Sequence, residues 1–183
     1  MDYRQLIDKC YPEGPLRDIY LSHCRQVADK ALAIAHAKRL PLTDDEIEEA
    51  AMLHDIGIVM TDAPRIHCYG TEPYIAHGVL GAKIIREAGL DEKYARIAER
   101  HTGAGITADD IARQHLPLPE GEYCPQTLLE RLICYADKFF SKSGDGSEKT
   151  LERIIRSLSK FDFTDTEGAV ARFMELHHQF GQE

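Results

Sequence analysis

Apolar positions recur at three- and four-residue steps along most of this chain, the period of helices that bury one face. A short helix occupies residues 1–15 and closes on the breaker cluster Tyr11-Pro12-Glu13-Gly14-Pro15. From Leu16 to about Ala37 a long helix carries the stripe Leu21, Cys24, Ala28, Ala31, Leu32 and Ala35. After Pro41, Thr43 followed by Glu46 forms a capping box. The helix it opens runs to about Ile56, with Gly57 suited to a left-handed cap. Residues 58–72 hold Pro64 and Gly70 without a clean period and read as a long loop or broken helix; a loop of this length is often functional in a compact domain.

A further helix runs from Pro73 or Tyr74 to Ala88, with Gly89 closing it. His77, Gly78 and Gly81 lie in its first half, where small residues permit a neighbouring helix or a ligand to approach. Asp91 caps the next helix, on which Tyr94, Ile97, Ala98 and His101 share one face. Thr107 starts a short helix through about His115, and the Pro-rich stretch to Pro125 is a connector. Then comes a strong helix whose inward row is Leu129, Ile133, Asp137 and Phe140. A turn at Ser141 to Gly146 and two amphipathic helices, about 148–159 and 165–180, complete the chain. No alternating strand pattern of useful length occurs, so the expected fold is all-α, a single-domain helical bundle over 1–183 with the C-terminal helices at 147–183 packed on the core.

Polar residues interrupt this pattern at inward-facing or helix-end positions. They are His23, the adjacent pair His54-Asp55, His77, His101 and Asp137. Burying such groups without partners is costly, above all a carboxylate in an apolar row, as at Asp137. Each histidine taken alone has a plain reading as a hydrogen-bonded core residue, and His101 also as a favoured helix-end cation. Six such residues on five helices are harder to treat as coincidence. Helical bundles build metal sites from side chains of facing helices in this way. Imidazole and carboxylate donors without thiolate favour iron or manganese, with zinc, magnesium, nickel or cobalt as further divalent choices. Two ions joined by a carboxylate, with an activated water between them, would suit phosphoester attack. By contrast His36 lies about 220° around its helix from His23, at about 100° per residue, and reads as a surface or capping residue.

Composition narrows the partners. At 183 residues with 43% hydrophobic and 29% charged positions, the chain is that of a soluble globular protein. Its formal charge of −9 argues against a nucleic-acid coat or an anionic membrane surface, but not against a small anionic substrate at a local cationic site. No apolar run approaches a membrane span, and Met1-Asp2-Tyr3-Arg4 lacks a signal-peptide core. Five cysteines with no C-x-x-C pair point to a reducing, cytoplasmic setting rather than to a disulfide framework.

His23, then His54-Asp55, then Asp137 resembles the H…HD…D signature of the HD-domain metal-dependent phosphohydrolases, and Ile56-Gly57 extends it to the HDIG variant. The resemblance covers residues 16–142. It implies an all-α fold with His23, His54, Asp55 and Asp137 on one ion. His77 and His101 resemble the extra histidines of the binuclear branch, which implies a second ion with Asp55 bridging. The cyclic-di-GMP phosphodiesterase branch carries a Gly-Tyr-Pro element, where this chain has Glu99-Arg100-His101-Thr102-Gly103-Ala104-Gly105. The chain is more similar to small standalone HDIG proteins and to HD-type diadenosine tetraphosphate hydrolases.

The expected activity is hydrolysis of a phosphate ester or anhydride, of a nucleotide above all. A mononuclear phosphatase using four ligands and a non-catalytic nucleotide- or metal-binding regulatory module are the alternatives. Arg65, Arg100, Lys138 and Lys142 stand near the motifs as candidate phosphate contacts, arginine by bidentate pairing and lysine as a point charge. Lys138 adjoins a ligand, and His67 is a candidate for proton transfer to the leaving group, which with Asp55 makes the expected catalytic set. The last helix, with Phe173, Met174, Leu176 and Phe180, can pack either on the core or on a second copy in a homodimer.

Overall fold

Local capping chemistry sets where several helices begin. In the computed structural model, which describes residues 2–144, 146–160 and 168–181, Asp2, Thr43, Thr107 and Thr127 each accept from the backbone N–H three residues on. Gln5, Glu46, Asp110 and Glu130 reach back to the cap in return. These reciprocal bonds satisfy N–H groups that a helix start otherwise leaves unpaired. The helices in chain order are α1 (Tyr3–Cys10), α2 (Pro15–Lys38), α3 (Asp44–Leu53), α4 (His77–Glu87), α5 (Glu92–Arg100), α6 (Ala108–Gln114), α7 (Leu128–Asp137), α8 (Leu151–Leu158) and α9 (Ala169–Phe180). The described residues add one antiparallel hairpin, β1 (Asp62–Ala63) and β2 (Cys68–Tyr69), with Asp62 opposite Tyr69. The fold is all-α, as its periodicity predicts.

The long α2 runs through the middle and packs on both α3 and α7. Its buried row of Tyr20, Cys24, Val27, Ala28 and Ala31 is mostly small, which lets both neighbours come close. α4 lies on α5 and on a 3-10 turn at Ile56–Met60. α7 packs against α2, α5 and α9. Tyr135 of α7 stacks on Phe173 of α9 at 5.6 Å between ring centres, and Phe173, Leu176 and Phe180 are buried in the chain's own core. Of the apolar residues read as a docking choice for the last helix, Met174 alone is exposed. The first residues expected in that helix, 165–167, lie outside the described ones. No helix is long and apolar enough to cross a membrane.

One local expectation is refined and another changes. Of the loop or broken helix expected at residues 58–72, the structure has the 3-10 turn, a second turn at Pro64–Ile66 and the hairpin, all too short for a periodic signal. Gly57 is not a left-handed cap: α3 ends at Leu53, and Gly57 sits inside the 3-10 turn without positive φ. Its lack of a side chain serves contact instead. A Cβ there would lie 2.1 Å from the His77 carbonyl oxygen and 2.4 Å from the Gly81 nitrogen. The turn after α3 therefore presses directly on the backbone of α4. Gly78 does the same towards α5, with the Ala98 carbonyl oxygen 2.7 Å from where its Cβ would stand.

Candidate metal centre

The end of α3 is held by two tyrosines. A helix C-terminus leaves carbonyls without N–H partners. Here the Tyr20 hydroxyl donates to the Met52 carbonyl, and the Tyr11 hydroxyl donates to the Ile56 carbonyl at 2.8 Å. The two rings stack at 4.0 Å. The clamp fixes the chain where His54 and Asp55 emerge. Around that point converge His23 from mid-α2, His77 at the start of α4, His101 just past α5, and Asp137 at the end of α7. All six side chains are buried.

The Asp55 carboxylate divides these partners into two sets. Its Oδ2 lies 3.1 Å from His23 Nε2 and 3.2 Å from His54 Nε2. Asp137 Oδ1 closes that first set at 3.0 Å from His23 Nε2 and 3.4 Å from His54 Nε2. The other oxygen, Asp55 Oδ1, faces His101 Nε2 at 3.3 Å and His77 Nε2 at 3.5 Å. Within each set the donor atoms all lie within 4.8 Å of one another, the span of a shared ion.

The backbone fixes the orientation of three imidazoles. His54, His77 and His101 place Nδ1 against the carbonyl oxygens of Ala51, Tyr74 and Ala98, at 2.6, 2.7 and 2.8 Å. An Nδ1–H donated there leaves the Nε2 lone pair pointing into the centre, the usual support of a metal-binding histidine. Among the described residues, His23 Nε2, His54 Nε2 and Asp55 Oδ1 make no hydrogen bond although buried, and Asp55 Oδ2 has the Lys142 ammonium as an ion partner. Buried polar atoms so arranged are costly unless something satisfies them. A divalent cation fits this donor set.

Charge prepares the same groups. Burial works to raise the Asp55 and Asp137 pKa values, but nearby cations hold both well below the carboxylate range. For Asp55 these are Lys142 and then His54; for Asp137 it is Lys138, helped by a hydrogen bond from His23. Burial, reinforced by the charge of His101, pushes His77 down to about 3, and burial also lowers His101. These imidazoles are therefore neutral and the carboxylates ionised at neutral pH, the forms that bind metal. At His54, burial opposes the charge, yet the Asp55 carboxylate beside it raises its pKa well above the ordinary value.

Lys142 stands 2.5 Å from Asp55 Oδ2, and Lys138 donates to Asp137 Oδ2 at 2.5 Å and to the His101 carbonyl at 3.1 Å. Two adjoining cavities open over the centre and share Tyr74, Gly103, Asp137, Lys138, Lys142 and Leu158. The first, about 390 Å³, is polar and adds Arg65, Ser141, Ser143 and Lys149. The second, about 460 Å³, reaches His77 and His101 and adds the apolar Ile75, Ile106, Leu116 and Ala169. Arg172 borders it, tied to Asp110 at 2.7 Å and to the Gly105 carbonyl at 3.0 Å.

Two expected residues do not reach these cavities. His67 ends a 3-10 turn in the left-handed conformation, and its side chain is exposed. Arg100 turns towards Glu99 and Glu130, each at 3.6 Å, because Glu130 is buried at the start of α7 and draws the cation. Tyr74, read from the sequence only as a helix start and not as a site residue, packs its ring 4.8 Å from that of His77, with Lys142 Nζ 5.9 Å from its centre. Its signal was faint: an aromatic three residues before a candidate ligand.

Fold and site together define a helical protein whose buried His/Asp cluster fits divalent metal, with one carboxylate standing between two histidine sets. The chain matches the HD domain family over residues 20–141, well over half its length, and belongs to that family. It is similar to the tRNA (cytidine(56)-2'-O)-methyltransferase of Thermoplasma volcanium, 32% identical over 176 residues that cover 96% of this chain and 46% of that protein. The protein of the same name from Picrophilus torridus is 30% identical over 165 residues, covering 88% and 41%. An uncharacterized protein of Methanocaldococcus jannaschii is 40% identical over 120 residues, covering 64% and 63%. The chain thus spans less than half the length of the two methyltransferases it matches. No solved structure matches it.

Proposed function

We propose that this chain is a metal-dependent phosphohydrolase that cleaves a phosphate ester or anhydride, with a nucleotide as the preferred class of substrate. The observation that carries this reading is the division of the Asp55 oxygens, Oδ2 towards His23 and His54 and Oδ1 towards His77 and His101. His23, His54, Asp55 and Asp137 would hold one divalent ion, and His77, His101 and Asp55 a second. Such ions, when bound, supply a nucleophilic hydroxide at neutral pH and neutralise charge on the phosphoryl group.

The protein's own residues do the rest. Lys138 and Lys142 point ammonium groups at the carboxylates of the centre, from where they can meet phosphate oxygens and stabilise charge developing on them. Arg65 at the rim of the polar cavity adds a fork suited to a terminal phosphate. The apolar cavity beside the centre offers a place for the organic part of the substrate, with Tyr74 at the boundary.

The test is phosphate release by protein loaded with manganese or iron, screened over phosphate monoesters, nucleotides and dinucleoside polyphosphates. Turnover that disappears in Asp55→Asn supports the reading. Tight nucleotide binding with no turnover on any substrate would instead favour a regulatory module. His77→Ala and His101→Ala should each lower the metal content by one ion per chain; an unchanged content would favour the mononuclear alternative. A second reading draws on the names of the two methyltransferases, which act on tRNA: the phosphate bond attacked here lies in RNA. Oligoribonucleotides bearing terminal phosphates belong in the same screen for that reason.

A further inference from the structure

Beyond the two cavities over the centre lies a third, about 270 Å³, lined by Ser141, Lys149, Arg153, Arg156, Ser157 and Lys160. Ser141, Lys149 and Ser157 line the polar cavity of the main cleft as well, so the two spaces adjoin. Among the described residues no carboxylate lines the third cavity. We propose that this channel is a binding track for a run of linked phosphates, which extends the ligand past the scissile position along α8. The proposal rests on the hydrolytic reading for what lies at the metal residues, but anion binding on the track does not require turnover.

Three observations carry it. First, Arg153 and Arg156 stand on one face of α8, with Lys149 just before its Thr150 cap and Lys160 two residues past its last residue, Leu158. The four cations thus follow one another along the cavity wall, which suits consecutive phosphates better than one compact anion.

Second, Arg153, Arg156 and Lys160 are exposed, and among the described residues they make no ion pair. The nearby Glu148 is committed elsewhere, to Lys30 at 2.5 Å. Like charges left together without carboxylates repel one another, and a bound polyanion relieves that repulsion. Burial lowers the Lys149 pKa, and the neighbouring cations Lys138, Lys142 and Arg153 lower it further. Third, the chain as a whole carries −9, so a local positive strip that joins the centre stands out against the field around it.

Two sources share this chemistry, a single-stranded oligonucleotide and an inorganic polyphosphate chain. The experiment uses full-length, metal-loaded protein and a fluorescent RNA hexamer with phosphorothioate linkages that resist cleavage. Binding is read by anisotropy over a salt series, with medium-chain polyphosphate as competitor. The triple variant R153Q/R156Q/K160Q should bind the hexamer at least tenfold more weakly. The slope of log K against log salt should flatten by about 2, from three lost contacts at about 0.7 each. The charge-conserving R153K/R156K should stay close to wild type. Polyphosphate that binds tightly while the hexamer does not supports the track with the inorganic chain as its ligand, and the converse supports the oligonucleotide. A triple variant with normal metal content that binds both probes like wild type would overturn the track. So would wild type that binds neither probe, or that binds only vesicles of anionic phospholipid. Phosphate release in the substrate screen is scored separately, so failure of the track and failure of the hydrolase reading are told apart.

Discussion

Gly57→Ala is a one-carbon change that should separate the two metal sets. The added Cβ would stand 2.1 Å from the His77 carbonyl oxygen, 2.4 Å from the Gly81 nitrogen and 2.9 Å from the Gly81 Cα. All three are backbone atoms, so no side chain can rotate away. Reaching an ordinary contact of about 3.5 Å requires the turn and α4 to part by roughly 1.4 Å. His77 is the first residue of α4 and moves with it. Metal–ligand distances tolerate about 0.2 Å, so the set built from Asp55 Oδ1, His77 and His101 should lose its ion. His23, His54 and Asp137 come from α2, the end of α3 and α7, away from the clash, and should keep theirs. Overpacking of this kind costs about 1–3 kcal/mol, with roughly 2–4 °C of melting temperature per kcal/mol for a chain of this size. Elemental analysis of the purified variant should find one ion per chain where wild type has two, with a lowered melting temperature. A variant with both ions and the wild-type melting temperature would show that the turn does not position His77.

Three other perturbations address separate parts of the account. Lys142→Met removes the ammonium 2.5 Å from Asp55 Oδ2, and breaking a buried pair this way should destabilise the metal-free protein by about 3 kcal/mol. Urea unfolding in chelator reads this loss, which should shrink in metal-loaded protein; equal stability of variant and wild type in chelator would refute it. Glu130→Ala removes a buried carboxylate that accepts from Gln126 N at 2.7 Å, Thr127 N at 3.3 Å and Arg96 Nε at 2.9 Å. A lost cap and a lost charge-assisted bond together predict about 2–4 kcal/mol of destabilisation with metal content unchanged; loss of metal instead would place Glu130 in the centre's support. Chelation of wild type should lower the melting temperature, because ions that bind only the native state at about 1,000 times Kd contribute about 4 kcal/mol. An unchanged melt would mean that the centre holds no metal in solution.

Much of the helical order was legible because its determinants are local. The Thr43–Glu46 box and the Asp91 cap lie where helix starts were expected, and Gly89 closes α4 at positive φ as its position suggested. The inward placement of His101 and Asp137 followed from period, since a polar residue in an apolar row is carried into the core with its neighbours. What period cannot report is which distant group a long side chain meets. Arg100 and Lys142 look alike in sequence as cations near a motif. One is drawn to Glu130 on another helix, while the other enters the centre. Gly57 was misread for a related reason: a glycine needed for close approach looks the same in sequence as one needed for a left-handed turn. The α8 cations had helical spacing, but nothing local told which space that face lines.

Whether the Asp55 carboxylate joins two metal ions is read by electron paramagnetic resonance of protein loaded with two equivalents of Mn(II). Wild type should give the signal of a spin-coupled pair, replaced in His77→Ala by that of an isolated Mn(II). An isolated-ion spectrum in wild type at full loading, or no bound Mn(II) at all, would contradict the bridging role of Asp55.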